Sequence, residues 1–283
     1  MKNNRHINNH TSCFAFLEVS YMKIITFLTD FGSKGGYVAQ MKGVVLSITD
    51  SKLIDITHDI MPHDIREGAF VLQNSVVYFP VGTVHLAVVD PAVGTNRRGI
   101  IVATKSHILV GPDNGLLMPV AHFLGGFTVY EITNNKYMLN SISNTFHGRD
   151  VFSPVAAHIV NEVPFEEIGS RIYNFIDMDF GKGKITDRTA TGKIIYVDNF
   201  GNIVTNIEGA QIRDILDYGS KLMAFIGDKQ KEISFVKSYS FVEKGQLLAT
   251  TGGSNLIEIG LNQGNAAREL GIKIDDEIKL LFY

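Results

Sequence analysis

Lys23-Ile24-Ile25-Thr26-Phe27-Leu28-Thr29-Asp30-Phe31-Gly32 opens as an apolar, β-branched run and stops at a carboxylate followed by a glycine. An apolar run without alternation reads as a strand buried on both faces, as in a parallel sheet covered by helices. Outward from it, residues 37–49 carry Val38, Met41, Val44, Val45 and Ile48 at helical spacing. Leu53-Ile54-Asp55-Ile56-Thr57 reads as a second strand. Residues 64–78 read as a second helix, with Ile65, Ala69, Leu72, Val76 and Val77 on one stripe. Thr83-Val84-His85-Leu86-Ala87-Val88-Val89 is a third strand ending at Asp90. This β-α-β-α-β order predicts an α/β domain whose largely parallel sheet is covered on both faces. In such sheets ligands sit at the carboxyl ends of strands, where Asp30 and Asp90 fall.

Further strands are predicted from Gly99 to Val110 and from Phe127 to Ile132, with a turn at Gly111-Pro112-Asp113-Asn114-Gly115. Val151 to Val160 reads as a helix with Pro154 in its first turn. Residues 180–192 are polar and glycine-rich, which sets a domain boundary there. Beyond it, strand-like segments recur at Lys193–Val197, Ile203–Ile207, Lys221–Ile226, Ile233–Val236, Leu247–Thr250, Leu256–Leu261 and Glu277–Phe282. The expectation is an N-terminal α/β domain over 22–180 and a small C-terminal β-barrel over 190–283.

The 283 residues are 45% hydrophobic and 19% charged, with a formal net charge of −3, which is a globular composition. No Lys/Arg-rich block is present, which argues against nucleic acid or an anionic membrane as partner. No apolar stretch has the length of a membrane span. The single cysteine, Cys13, allows no intrachain disulfide and fits a reducing, cytoplasmic setting. Met22 is read as the start of the structured chain, with residues 1–21 either a frayed tail or a mis-assigned start.

Three polar stretches stand out beside glycines: Thr29-Asp30-Phe31-Gly32, Asp90-Pro91-Ala92-Val93-Gly94-Thr95-Asn96-Arg97 and Phe146-His147-Gly148-Arg149-Asp150. Asp90, Arg97 and His147 supply a carboxylate, a permanent cation and an imidazole, a set suited to holding and activating water. Taken singly each has a plainer reading: Asp90-Pro91 as a turn, Arg97-Arg98 as a solvated pair, His147 as a structural histidine. The dyads His58-Asp59 and His63-Asp64 suggest a metal site, but the remaining ligands are missing, and Asp64 suits a helix cap. Gly32-Ser33-Lys34-Gly35-Gly36 lacks the ending of a phosphate loop and reads as a turn opening the first helix.

In this order, and together with Pro112-Asp113-Asn114-Gly115, Asp198-Asn199-Phe200-Gly201-Asn202 and Asn262-Gln263-Gly264-Asn265-Ala266-Ala267, the stretches resemble the S-adenosylmethionine hydroxide adenosyltransferase family. These are water-using relatives of the fluorinase and chlorinase enzymes, and the likeness spans about residues 22–283. The resemblance implies hydrolysis of S-adenosylmethionine to adenosine and L-methionine without metal or cofactor. It also implies a homotrimer with substrate bound between the α/β domain of one subunit and the barrel of its neighbour. It assigns Asp90, Arg97 and His147 to catalysis, Asp30 and Asp90 to substrate binding with Asp30 on the ribose, and Asn202 to adenine. Ser254 and Glu258 fall near the methionine segment. Phe200 suits either stacking on the purine or a lid on the barrel core. Halogenases carry Tyr at the positions of Asp90 and His147 and Ser at Gly148, and the fluorinase has an inserted loop after the Arg97 region. These departures favour hydroxide over halide. A halide-using adenosyltransferase and a non-catalytic S-adenosylmethionine or adenosine sensor are the alternatives.

The expected chemistry has one difficult step. A sulfonium leaves as a neutral thioether and needs no protonation. Water, however, has a pKa near 15.7 against about 6.5 for imidazole, so full proton transfer to a lone histidine costs roughly 12 kcal/mol. Arg97 and the sulfonium are therefore expected to stabilise the developing hydroxide, with either His147 or Asp90 taking the proton.

Overall fold

The computed structural model describes residues 23–283. The expectations for residues 1–21 and Met22, Cys13 included, lie outside the described residues. Strand β1 (Ile24–Thr29) is buried along all six residues. It pairs in parallel with β2 (Lys52–Thr57) on one side and β3 (Val84–Val88) on the other, with Thr29 beside Val88. Helices α1 (Tyr37–Leu46) and α2 (Ile65–Val76) make the crossovers. Strand alternation divides the side chains between two cores. Ile25, Phe27, Leu86 and Val88 join Met41 and Val45 of α1 in one core. Leu28, Ala87 and Val89 join Ala69, Leu72 and Val76 of α2 in the other. The helices thus cover opposite faces, and the chain reverses its direction across the sheet between β1 and β3. That reversal opens a crevice at the carboxyl ends of these two strands.

The Asp64 carboxylate accepts the Glu67 N–H at 2.8 Å and caps α2, as its sequence position suggests. The strand at Leu53–Thr57 is an open edge rather than a covered strand, with Ile54 37% exposed. β4 (Gly99–Ala103), β5 (Ile108–Pro112), β6 (Thr128–Glu131) and β7 (Arg171–Ile172) complete the order β2-β1-β3-β5-β4-β6-β7. β5 runs parallel to β3, whereas β4, β6 and β7 run antiparallel to their neighbours. Residues 104–107 joining β4 to β5 are too few for a crossover, so these two strands pair as an antiparallel hairpin, and β6 then lies beside β4 rather than beside β5. α3 (Met118–Leu124) packs on the α2 side, and α4 (Ser153–Val160) on the α1 side.

The second sheet contains β8 (Lys184–Ile185), β9 (Thr189–Val197), β10 (Ile203–Glu208), β11 (Lys221–Ile226), β12 (Lys229–Phe235), β13 (Leu247–Thr251), β14 (Leu256–Leu261) and β15 (Glu277–Phe282). β10 pairs with both β14 and β9, which closes β9 through β15 into a ring, with β8 appended to β9. Ile194, Ile203, Leu222, Phe235, Ile257 and Leu280 fill it. Phe70 of α2 joins the two sheets by stacking on Tyr196 at 4.5 Å between ring centroids, and Phe180 meets it edge-on at 5.9 Å.

Candidate active site

Asp30 follows β1, Asp90 follows β3, Asp113 follows β5, and Arg97-Arg98 precede the antiparallel β4. All five residues therefore lie at one edge of the sheet. Arg97 grips Asp90 with two bonds, Nε to Oδ1 at 3.1 Å and Nη2 to Oδ2 at 2.5 Å. Its Nη2 also lies 3.0 Å from His147 Nδ1, and its Nη1 donates to the Arg98 carbonyl at 3.1 Å. The guanidinium sits over the Phe152 ring at 5.2 Å. The Asp90 and Arg97 side chains are 4% and 6% exposed, so this pair is removed from water.

A guanidinium only donates, so His147 Nδ1 is an acceptor here and the ring carries its proton on Nε2. Burial, with the Arg97 charge second, holds the imidazole pKa below its usual value and keeps the ring neutral. Burial raises the Asp90 carboxyl above the usual carboxylate range, with Arg97 pulling the other way. The site therefore has a carboxylate made more basic by desolvation, beside an imidazole that presents an N–H.

A five-residue π-helical turn, Gly148–Phe152, follows His147 and runs into α4, with Pro154 in the first α-helical turn as expected. Such turns recur at functional sites because they redirect side chains. The buried Asp150 fixes this turn by accepting from Ser143 N at 2.7 Å and Arg149 Nε at 2.6 Å. Gly94 sets the approach of the Asp90–Arg97 loop to the segment before His147. Its φ is +79°, and a Cβ there would stand 2.2 Å from the Asn144 carbonyl oxygen. Gly94→Ala is therefore expected to separate the two loops, lower stability by about 1–3 kcal/mol and reduce turnover. Urea titration alongside initial rates checks both.

Asp30 shares this edge of the sheet. Its Oδ2 accepts the His63 N–H at 2.9 Å. Phe31 meets Phe146 edge-on at 5.7 Å, next to His147. Arg98 is not half of a solvated pair with Arg97, because its Nε and Nη2 both bond Asp113 Oδ2, at 3.0 and 2.6 Å. Among the described residues, no group of three or more His, Cys, Asp and Glu is placed to hold a metal ion.

The barrel carries a second polar cluster. Asp198 Oδ1 accepts from Phe200 N at 2.9 Å and Asn202 N at 2.8 Å, and its Oδ2 accepts from Asn202 Nδ2 at 2.8 Å. Glu258 Oε2 accepts the Tyr239 hydroxyl at 2.7 Å. Burial raises both the Glu258 carboxyl and the Tyr239 phenol. Phe200 is 78% exposed, which rules out the lid on the barrel core. Ser254, in the β13–β14 turn, lines a groove of about 640 Å³ with Phe70, Tyr78 and Phe180. Among the described residues, no hydrogen bond or ion pair within the chain joins Asn202, Phe200, Ser254 or Glu258 to Asp30, Asp90, Arg97 or His147. Asp198 and Tyr239 were not singled out from the sequence. The signal for Asp198 was the Asp-x-x-Gly-Asn turn itself, whereas Tyr239 belongs to no motif.

This fold and site define a class: a mixed α/β sheet with a carboxylate–guanidinium–imidazole crevice at its switch point, joined to a closed β-barrel. The chain belongs to the SAM hydroxide adenosyltransferase family, whose N-terminal domain model matches residues 25–169 and whose C-terminal domain model matches residues 192–279. It is 36% identical over 278 residues to the (R)-S-adenosyl-L-methionine hydrolase of Methanocaldococcus jannaschii, covering 94% of this chain and 99% of that protein. It is 30% identical over 212 residues to the fluorinase of an Actinoplanes species, covering 65% of this chain and 71% of that enzyme. A crystal structure of an uncharacterized conserved protein from Thermotoga maritima superposes with a TM-score of 0.84 at 36% identity, covering 90% of this chain and 99% of that one.

Proposed function

We propose that this chain hydrolyses S-adenosyl-L-methionine at C5′, giving adenosine and L-methionine. The observation that carries this reading is the buried, doubly hydrogen-bonded Asp90–Arg97 pair with His147 on the same guanidinium. In the reaction the C5′–S bond breaks, its electron pair staying on sulfur, while a water oxygen bonds to C5′ and one proton must leave that water. Asp90 takes the proton, because desolvation strengthens it as a base and its oxygens keep free lone pairs. His147 cannot accept at Nδ1 while Arg97 occupies it, so its Nε2–H orients the water. Arg97 stabilises the developing hydroxide, and attack of an anion on a sulfonium removes charge, which a dry crevice favours.

Asp30 suits the two ribose hydroxyls, because an ionised carboxylate accepts from both. Asn202 reads the adenine edge, with Phe200 as a stacking face. Ser254 and Glu258 border the methionine. These barrel groups would come from a neighbouring copy, in a cytoplasmic homotrimer that needs no metal or cofactor. Phe200, 78% exposed, is free to meet a purine bound by such a neighbour. Among the described residues, no helix is long and apolar enough to cross a membrane.

Gly148 bears on the choice of nucleophile. A Cβ there would sit 3.3 Å from both Met41 Sδ and Phe31, leaving little room for the Ser of the halogenases. Incubation with S-adenosylmethionine in ¹⁸O-labelled water should place the label in the 5′-hydroxyl of adenosine. Formation of 5′-chloro-5′-deoxyadenosine in high chloride, or binding without turnover, would overturn the reading.

A further inference from the structure

The dyads His58-Asp59 and His63-Asp64 fall in the loop between β2 and α2, and both histidines reach the segment that carries Asp30. The Gly32 N–H donates to the His58 carbonyl at 2.8 Å. The Asp30 carboxylate accepts the His63 N–H at 2.9 Å, and His63 holds a φ of +71°, a conformation that non-glycine residues rarely adopt. His58 Nδ1 lies 2.9 Å from the Thr29 hydroxyl, which itself accepts the Phe31 N–H at 3.3 Å. On its far side, His58 Nε2 lies 2.9 Å from Asp55 Oδ1, out of line for a straight hydrogen bond and therefore an electrostatic contact. Lys42 Nζ fixes the other Asp55 oxygen at 2.6 Å.

The protonation pattern follows from what each partner can do. The carboxylate beside Nε2 favours a hydrogen there, which leaves Nδ1 as the acceptor for the Thr29 O–H. A chain of contacts then runs from Lys42 through Asp55, His58 and Thr29 to the Phe31 amide, hydrogen-bonded throughout except at the Asp55–His58 contact. The residues flanking Asp30 are thus tied to His58, with Thr29 and the Phe31 amide held through its ring and the Gly32 amide through its carbonyl, while the Asp30 side chain is tied to the same loop five residues further on.

We propose that His58 is a positioning residue that sets the Asp30 carboxylate for the two ribose hydroxyls. The inference rests on the reading of Asp30 as the ribose ligand. Ribose contacts are made equally before and during attack at C5′, so loosening them should act on binding more than on chemistry. His58→Gln, which loses the Nδ1 acceptor, and Thr29→Val, which loses the hydroxyl, should each raise KM for S-adenosylmethionine about 10-fold. They should weaken adenosine binding by the same factor, with kcat within about threefold. His58→Asn puts an amide oxygen where Nδ1 stood and should restore KM to within about twofold of the parent.

Steady-state kinetics, adenosine titration calorimetry and thermal melting of the full-length protein test this, with Asp30→Ala alongside. If Asp30→Ala leaves KM and adenosine affinity unchanged, the ribose assignment falls and takes the proposal with it. If Asp30→Ala raises KM while His58→Gln and Thr29→Val do not, the ribose assignment stands and His58 positioning is overturned. A fall in melting temperature and kcat at constant KM, or failure of His58→Asn to restore KM, assigns His58 to folding alone and overturns it too. Should His58→Gln not fold, Thr29→Val against Thr29→Ser gives the same decision.

Discussion

Asp90→Asn should lower kcat for S-adenosylmethionine hydrolysis by at least about 10²-fold while adenosine still binds. The substitution keeps the shape of the side chain but removes both its charge and its capacity to hold a proton. It also turns one of the two groups facing Arg97 into a donor, so the paired hydrogen bonds from Nε to Oδ1 and from Nη2 to Oδ2 cannot both survive. His147→Ala should also cost at least about 10²-fold, through loss of the water-orienting N–H. The two lesions should differ in pH dependence. In the wild type, kcat/KM should fall as pH drops through the Asp90 carboxyl, at a pH above the ordinary carboxylate range because burial raises it. His147→Ala should keep that acid limb, and Asp90→Asn should lose it. Single-turnover measurements across pH, with adenosine calorimetry as the binding control, decide the matter. Wild-type turnover in Asp90→Asn would remove the assignment of the base.

The second large effect concerns folding. His85, on β3, is fully buried and hydrogen-bonded from Nδ1 to the Thr26 hydroxyl at 2.8 Å and from Nε2 to His107 Nδ1 at 3.2 Å. The Thr26 hydroxyl can donate or accept, and one hydrogen serves the contact between the two rings, so both bonds are satisfied with neutral rings. Burial, reinforced by His107, depresses the His85 pKa from 6.5 to about 3, and burial lowers His107 as well. The unfolded chain takes up these protons near the ordinary histidine pKa and the native chain does not. Unfolding therefore binds protons between those limits, and stability rises with pH across that window. The full contribution is present above the unfolded pKa, is lost progressively as pH falls, and stops changing below the folded pKa. At about 1.36 kcal/mol per pH unit, His85 alone accounts for a loss on the order of 4–5 kcal/mol, a large share of a typical domain's stability. Urea titrations from neutral pH to pH 4 should show this slope in the wild type. His85→Gln should flatten it by about one proton, and parallel slopes in the two proteins would contradict the account.

The parts of the fold legible in the sequence are those where one physical demand dominates. β1 and β3 are buried on both faces, so their only polar residues are Thr26 and His85, which satisfy each other, and Thr29 at the end of β1, which meets His58. α2 declares itself through its stripe and the Asp64 cap. What the sequence hides is pairing. Nothing local in Gly99 to Val110 says that the pairing turns antiparallel after β5. The barrel strands alternate recognisably, but closure depends on β10 meeting two partners, which no single segment encodes. α3 is masked by Pro119 and by the glycine turn before it.

The site shows the same division. Arg97 and Arg98 look alike in sequence. Because neighbouring residues point to opposite sides, Arg97 reaches His147 and Phe152 while Arg98 takes Asp113. Asp113 and Asn114 read as a turn and as part of the family likeness, with no role attached, although the Asn114 amide donates to the Val89 carbonyl at 2.8 Å, directly before Asp90.

The two carboxylates Asp30 and Asp90 hang from adjacent strands locked in register by Thr29 and Val88. The sheet thus sets the gap between the two backbone segments that carry them, near the ~4.8 Å common to all neighbouring strands. Evolution can lengthen, shorten or rewrite the surrounding loops without altering that gauge, whereas inserting one residue into either strand would turn its carboxylate to the opposite side.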